Sequence, residues 1–185
     1  MDELSDEQVV QMVQSGNTQQ YGVLILRYEM KLKRYAMRFL NSPDDIEDLV
    51  QDVFIKAYTN IQSFDTTLRF SPWLYRIAHN TYANYLRSTA RYWGSLFDID
   101  TLIPVLAAPE TADSTALSVE LQQHIDTLLV QLAPKYREVL VLHYLEDLSY
   151  QEISDVLKIP PTTVGVRLNR ARQKLQELYV QNTHA

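Results

Sequence analysis

Apolar positions recur at spacings of three and four residues in nearly every patterned stretch of the chain, and no alternating, strand-like stretch is present. Ser5 to Gln8 forms a capping box ahead of Val9, Val10, Met12 and Val13, and Gly16-Asn17 ends that short helix. Thr18 to Leu40 predicts a long helix burying Tyr21, Leu24, Ile25, Tyr28, Leu32, Tyr35, Ala36 and Phe39. Ser42-Pro43-Asp44-Asp45 is another start signal: a cap, a first-turn proline and acids at the positive helix end. The helix it opens continues to Ile61 and buries Ile46, Leu49, Val50, Val53, Phe54 and Ala57. Ser63 to Phe70 predicts a loop, and Ser71-Pro72 starts a further helix that runs to about Trp93. From Gly94 to about Ser118 the helical period lapses among prolines and small residues, which predicts a linker. Helices resume over 119–132 and 134–145. The fold class is all-α: two helical domains on a tether.

The most informative stretch is Ser149 to Lys174. Ser149 and Glu152 make a capping box, and Ile153, Val156 and Leu157 supply a short buried stripe. Lys158-Ile159-Pro160-Pro161 breaks that helix, because proline lacks an amide hydrogen and disfavours helix in the residue before it. A second helix restarts near Pro161, with Val164, Leu168, Ala171 and Leu175 on one narrow face. Thr162, Val166, Asn169, Arg170 and Gln173 lie opposite, and Thr162 to Lys174 holds four cations and no acid. A short helix, a tight break and a second helix with a polar, basic open side is a helix-turn-helix, whose second helix suits the DNA major groove. Plain core packing of two amphipathic helices also accounts for the apolar spacing. Gly165 weakens the second helix by roughly 1 kcal/mol relative to alanine.

Charge sharpens this picture. The formal net charge is −6, awkward for a DNA binder, but the acidity is unevenly placed. Residues 96–120 carry five acids and no Lys or Arg, so local basic faces survive on either side. There is no cysteine, which removes disulfides, thiolate metal sites and cysteine nucleophiles and fits a reducing compartment. The acidic start MDELSDEQVV has no apolar signal core, and no apolar run nears the ~20 residues of a membrane span. The expectation is a cytoplasmic protein.

The helix from Ser71 to Trp93 mixes Trp73, Tyr75, Tyr82 and Tyr85 with Arg76, Arg87, Asn80 and Asn84. Aromatic faces stack unpaired bases and cations hold phosphates, so this is the composition of a single-stranded nucleic-acid surface. A half-exposed, tyrosine-rich core helix has the same composition, and both readings stand. Catalysis finds little support. Asp44, Asp48 and Asp52 share a helix face, but no histidine lies nearby in sequence, and acids in a first helical turn need no metal to explain them. The four histidines lack ligand spacing, and with four glycines there is no phosphate loop. No cofactor or metal is expected, nor an enzyme.

The order of these pieces resembles the bacterial RNA polymerase sigma factors of the small, two-domain extracytoplasmic-function type within the sigma-70 family. The resemblance rests on DIEDLVQDVFIKAY, on FSPWLYRIAHN and on LAPKYREVLVLHYLEDLSYQEISDVLKIPPTTVGVRLNRARQKL, in that order. It implies a first domain over 1–93, an acidic linker over 94–118 and a helix-turn-helix domain over 119–185. It implies that Asp48, Leu49, Gln51, Asp52 and Phe54 dock on the clamp coiled coil of core RNA polymerase, with the flap as a second contact. It implies that Phe64, Asp65, Phe70, Trp73, Tyr75, Arg76, Asn80, Asn84 and Arg87 capture the melted minus-ten strand, one base flipped into a pocket at a few kcal/mol of unstacking. The linker would thread toward the RNA exit path, its carboxylates mimicking RNA. Thr162, Thr163, Val166, Arg167, Asn169 and Arg170 would read the minus-thirty-five duplex. An anti-sigma protein is an expected partner, and no C-terminal sensory extension is expected. Gly165, Val166 and Thr162 depart from the usual pattern at the duplex, and His79 and Asn84 depart from it at the minus-ten element; Val166 suits a thymine methyl. The alternative is a stand-alone helix-turn-helix regulator whose first domain senses a ligand or dimerises. A third, a structural adaptor, predicts no dependence on nucleic acid.

Overall fold

The computed structural model describes residues 4–92, 125 and 127–183. The segment expected to form the linker, 94–118, and most of the helix expected over 119–132 lie outside the described residues. Among the described residues there is no strand.

The front half is built from α1 (Asp6–Gln14), α2 (Tyr21–Met37), α3 (Pro43–Asn60) and α4 (Phe70–Tyr92). Both start signals act as the sequence predicts. Ser5 and Gln8 close the capping box on α1, and the Ser42 hydroxyl accepts the Asp45 amide ahead of Pro43. Gly16 ends the first helical stretch at φ +101°, a left-handed conformation that a Cβ would strain. The helix expected over 18–40 begins instead with a 3-10 turn, Thr18–Gln20, and its α-helical part stops at Met37. The fourth helix starts at Phe70, earlier than the Ser71-Pro72 signal. Its first amide is held from outside: Phe70 N–H donates to Glu7 Oε1 of α1 at 2.9 Å. A carboxylate from another helix thus serves the positive end of α4.

The rear half contains a helical stretch at 127–131, then α5 (Pro134–Leu140), α6 (Tyr150–Leu157) and α7 (Pro161–Thr183). The helix expected over 134–145 changes character at Val141, where a π-helical turn, Val141–Leu145, takes over. Its core is Val139, Leu140, Leu142, Leu148, Ile153, Val156, Val164, Leu168 and Ala171.

The halves do not stay apart. Helix α4 packs along α6, and buried residues from both ends of the chain form one continuous cluster. The two helical domains expected from the sequence are both present, and no pattern in the sequence signals the contact between them.

Candidate nucleic-acid interface

At the rear, the helix-turn-helix is held by local bonds. Ser149 and Glu152 complete their capping box, with Ser149 N–H donating to Glu152 Oε2 at 2.7 Å. Lys158 closes α6 in the left-handed conformation, φ 55°, and the Ser154 hydroxyl donates to the Ile159 carbonyl at 2.6 Å. The Pro160 carbonyl accepts the amides of Thr163 and Val164, which starts α7. Val164, Leu168 and Ala171 are fully buried, while Thr162, Val166, Asn169 and Arg170 are exposed and Thr163 and Arg167 half-buried. All six residues expected at a duplex therefore lie on the open or flanking sides of α7. Beside them Arg172 Nε donates to the Tyr144 hydroxyl at 2.7 Å, and Tyr150 lies 3.5 Å from the position a Cβ on Gly165 would take. Gly165 has no positive φ; its missing side chain simply leaves Tyr150 bare against the helix.

In the front half, α4 has two opposed faces. Trp73, Arg76, Asn80, Asn84 and Arg87 follow one another at helical spacing and form an outward stripe. Asn80, Asn84 and Arg87 are exposed, and Arg87 Nη1 donates to Asn84 Oδ1 at 2.7 Å. Trp73 is half-buried, its ring 5.1 Å from Phe64 and 5.7 Å from Phe70. Asp65 is exposed and its carboxylate accepts the Thr67 amide and hydroxyl, which holds its carboxyl below the usual range. Gln14 Nε2 donates to the carbonyls of Ile61 and Phe64, anchoring the loop to α1.

Three residues expected to face the melted strand do not. Phe64, Phe70 and Tyr75 are 6%, 1% and 0% exposed. Phe64 and Phe70 make edge-to-face contact at 5.8 Å and back the Trp73 ring. Tyr75 points the other way, toward Tyr35, with ring centroids 5.3 Å apart. Its hydroxyl is buried without a hydrogen bond, and burial, followed by the nearby Glu146, pushes its pKa up. The correction has a plain cause: these rings fill the junction of α2, α4 and the preceding loop, so they shape the surface from beneath. On α3 the buried stripe is the one that spacing predicts. Leu49 and Phe54 are core residues, 8% and 7% exposed, whereas Asp48, Gln51 and Asp52 are exposed beside Ile55 and Tyr58. The outer face of α3 is thus acidic with an apolar margin.

Sequence reasoning missed the polar contacts between the halves. Glu138 Oε1 accepts the Tyr35 hydroxyl at 2.6 Å and lies 2.7 Å from His79 Nδ1. Arg69 Nη1 reaches both Glu152 oxygens at 3.1 Å. The Arg137 guanidinium is 2% exposed and donates to the carbonyls of Leu129, Val130, Leu132 and Arg38, the last from the front half. Burial, with Arg38 close by, pulls its pKa down to about 10. A buried arginine placed after proline at a helix start carries no periodicity signal; only its partners reveal it.

Known proteins add a second line of observation. A Sigma-70 region 2 family model matches residues 24–92, and a Sigma-70 region 4 model matches residues 122–175. The ECF RNA polymerase sigma factor SigW of Bacillus subtilis is 31% identical over 174 residues, covering 91% of this chain and 93% of that protein. The ECF RNA polymerase sigma-E factor of Escherichia coli K12 is 34% identical over 181 residues, 94% of each chain. Among solved structures, the sigma factor RpoE of Bartonella quintana in complex with the anti-sigma factor NepR is similar, with TM-score 0.68 and 26% identity over 86% of this chain and 96% of that one. CnrH in complex with the cytosolic domain of CnrY gives the same TM-score and identity over 95% of this chain and 97% of that one.

Proposed function

The chain belongs to the extracytoplasmic-function branch of the sigma-70 family, and on that premise we propose how its surfaces share the work. It is a promoter-specificity factor that binds core RNA polymerase and directs transcription initiation at promoter DNA. Its family is not one of enzymes; the bond-forming chemistry belongs to core polymerase.

In this reading residues 1–93 serve the enzyme and the melted strand, 94–118 connect, and 119–185 read the duplex. Asp48, Gln51 and Asp52, with Ile55 beside them, form the polymerase-facing side of α3. The stripe Trp73, Arg76, Asn80, Asn84 and Arg87, with Asp65 at its loop end, receives the minus-ten strand. Unpaired bases stack on Trp73, and Arg76 and Arg87 balance phosphate charge. Phe64 and Phe70 hold the Trp73 ring, and Tyr75 fixes α4 against α2. Thr162, Thr163, Val166, Arg167, Asn169 and Arg170 enter the major groove at the minus-thirty-five element. An anti-sigma protein is the proposed regulatory partner, by likeness to the RpoE–NepR complex. Among the described residues no helix is long and apolar enough to cross a membrane, and we place the factor in the cytoplasm with its polymerase.

One observation carries this reading: α7 buries a thin apolar stripe completely and leaves its polar, basic side open. The stand-alone regulator is not favoured, because the front half matches region 2 rather than a sensing or dimerising domain. Purified chain added to core polymerase should give promoter-specific transcripts. The reading fails if the chain neither co-purifies with core polymerase nor directs initiation in a reconstituted assay.

A further inference from the structure

We infer that the cavity between α2 and the π-helical turn is a binding site for a small tetrahedral oxyanion that carries a proton, the chemistry of hydrogen phosphate. The inference concerns a ligand and stands apart from the promoter-reading function above.

The cavity has a volume of about 120 Å³. Arg34, Tyr35 and Arg38 line it from α2, and Val141, Leu145 and Glu146 line it from the π-helical turn and the residue that follows. Arg34 and Arg38 stand four residues apart, so both side chains reach the same space. Turns of π-helix recur at functional sites, and this one delivers Glu146 to the cavity. A single water needs about 10–15 Å³ of such space, so the cavity takes a group of several heavy atoms, the size of a phosphate.

Positive charge is in excess here. Arg38 is buried, Arg34 is exposed at the rim, and Lys31 stands on the same side of α2. The buried Arg137 lies close enough to Arg38 for the two charges to repel. The four carbonyls that accept from Arg137 satisfy its donors and leave its charge in place. Glu146 is one carboxylate against these cations. Buried charge is costly unless it is balanced, and an anion between Arg34 and Arg38 supplies the balance. Guanidinium forks match the oxygens of a tetrahedral oxyanion.

Glu146 sets which anion is taken. A carboxylate facing an oxyanion repels it unless a proton lies between them. Burial raises the Glu146 pKa, the direction that favours sharing a proton. At neutral pH phosphate retains a hydrogen and donates it to Glu146, whereas sulfate has none to give. The site therefore takes phosphate and rejects sulfate, a choice that the two arginines alone would not make.

The test is isothermal titration calorimetry on the full-length chain, in phosphate-free buffer at neutral pH and constant ionic strength. Inorganic phosphate should bind saturably at one site per chain, and sulfate weaker by about tenfold or more. Arg34→Gln changes an exposed rim residue and should weaken phosphate binding by about tenfold, with helicity by circular dichroism unchanged. Glu146→Gln puts an amide donor where the carboxylate was, so sulfate should gain and the gap between the two anions should close. Methyl phosphate separates the sources of the ligand. Binding as tight as that of inorganic phosphate assigns the site to a phosphomonoester group on a larger molecule, and weaker binding assigns it to free phosphate. The absence of saturable phosphate binding, equal affinity of the wild type for phosphate and sulfate, an Arg34→Gln chain that binds as the wild type does, or a gap that Glu146→Gln leaves in place would each overturn the inference.

Discussion

Among the described residues the two longest helices, α4 and α7, each span 23 residues and each carries a proposed DNA surface, yet they are embedded in opposite ways. Helix α4 packs against α2, α3 and α6, and its Leu74, Tyr75, Ala78 and Tyr82 are all buried. It is a wall of the core whose outward stripe is held from behind by aromatic rings. Helix α7 buries only Val164, Leu168 and Ala171 completely, against α5 and α6. Capturing an unstacked base needs a shaped, rigid surface that offsets the unstacking. Reading an intact groove needs a narrow rod that can enter it. The contrast in embedding fits the substrate proposed for each helix.

The contrast can be broken at several points. Arg137→Ala should have the largest effect, because it leaves several buried carbonyls without a donor. We expect a loss of about 3–5 kcal/mol in urea-induced unfolding. A loss below about 1 kcal/mol would mean that the rear half does not depend on this buried guanidinium. Arg170→Ala should leave unfolding unchanged and weaken minus-thirty-five duplex binding by about 1–3 kcal/mol if the side chain meets a base. Contact with phosphate alone would give a smaller loss and a shallower salt slope, and unchanged affinity and slope would remove Arg170 from the interface. Asp52→Ala should reduce polymerase binding by about 1 kcal/mol while duplex binding stays intact; equal loss of both would point to misfolding.

Glu146→Gln should have the smallest effect. Burial raises the Glu146 pKa above its ordinary value of 4.5, against the opposing pull of the Lys31, Arg34 and Arg38 charges. The folded state thus holds the proton more tightly than the unfolded chain, so the carboxylate costs stability at neutral pH. That cost fades as pH falls through the raised folded value and is gone below about 4.5. The glutamine variant should be slightly more stable at pH 7, with the gap closing on acidification. A gap that widened toward low pH would reverse this assignment.

Much of this was legible in the sequence because its signals are local. The capping boxes at Ser5 and Ser149, the Ser42-Pro43 start and the buried positions of α3 follow from spacing alone, and each is found in place. The open side of α7 follows from the same arithmetic. What was not legible depends on non-local partners. Tyr75 reads equally well as stacking surface or core, and only the packing against α2 places it in the core; Phe64 and Phe70, in a stretch that predicts a loop, carry no burial signal of their own. Glu138 and His79 lie 59 positions apart, and no pattern in either neighbourhood pairs them.

The central claim is that the front half reads melted DNA while the rear half reads the duplex. Mapping the 5′ ends of transcripts made by core polymerase with this factor over genomic DNA tests it directly. Two shared sequence elements should lie upstream of the starts. Arg170→Ala should degrade only the distal element, and Asn80→Ala only the proximal one. Starts that are the same without the factor, or an Arg170→Ala chain that alters the proximal element instead, would contradict the account.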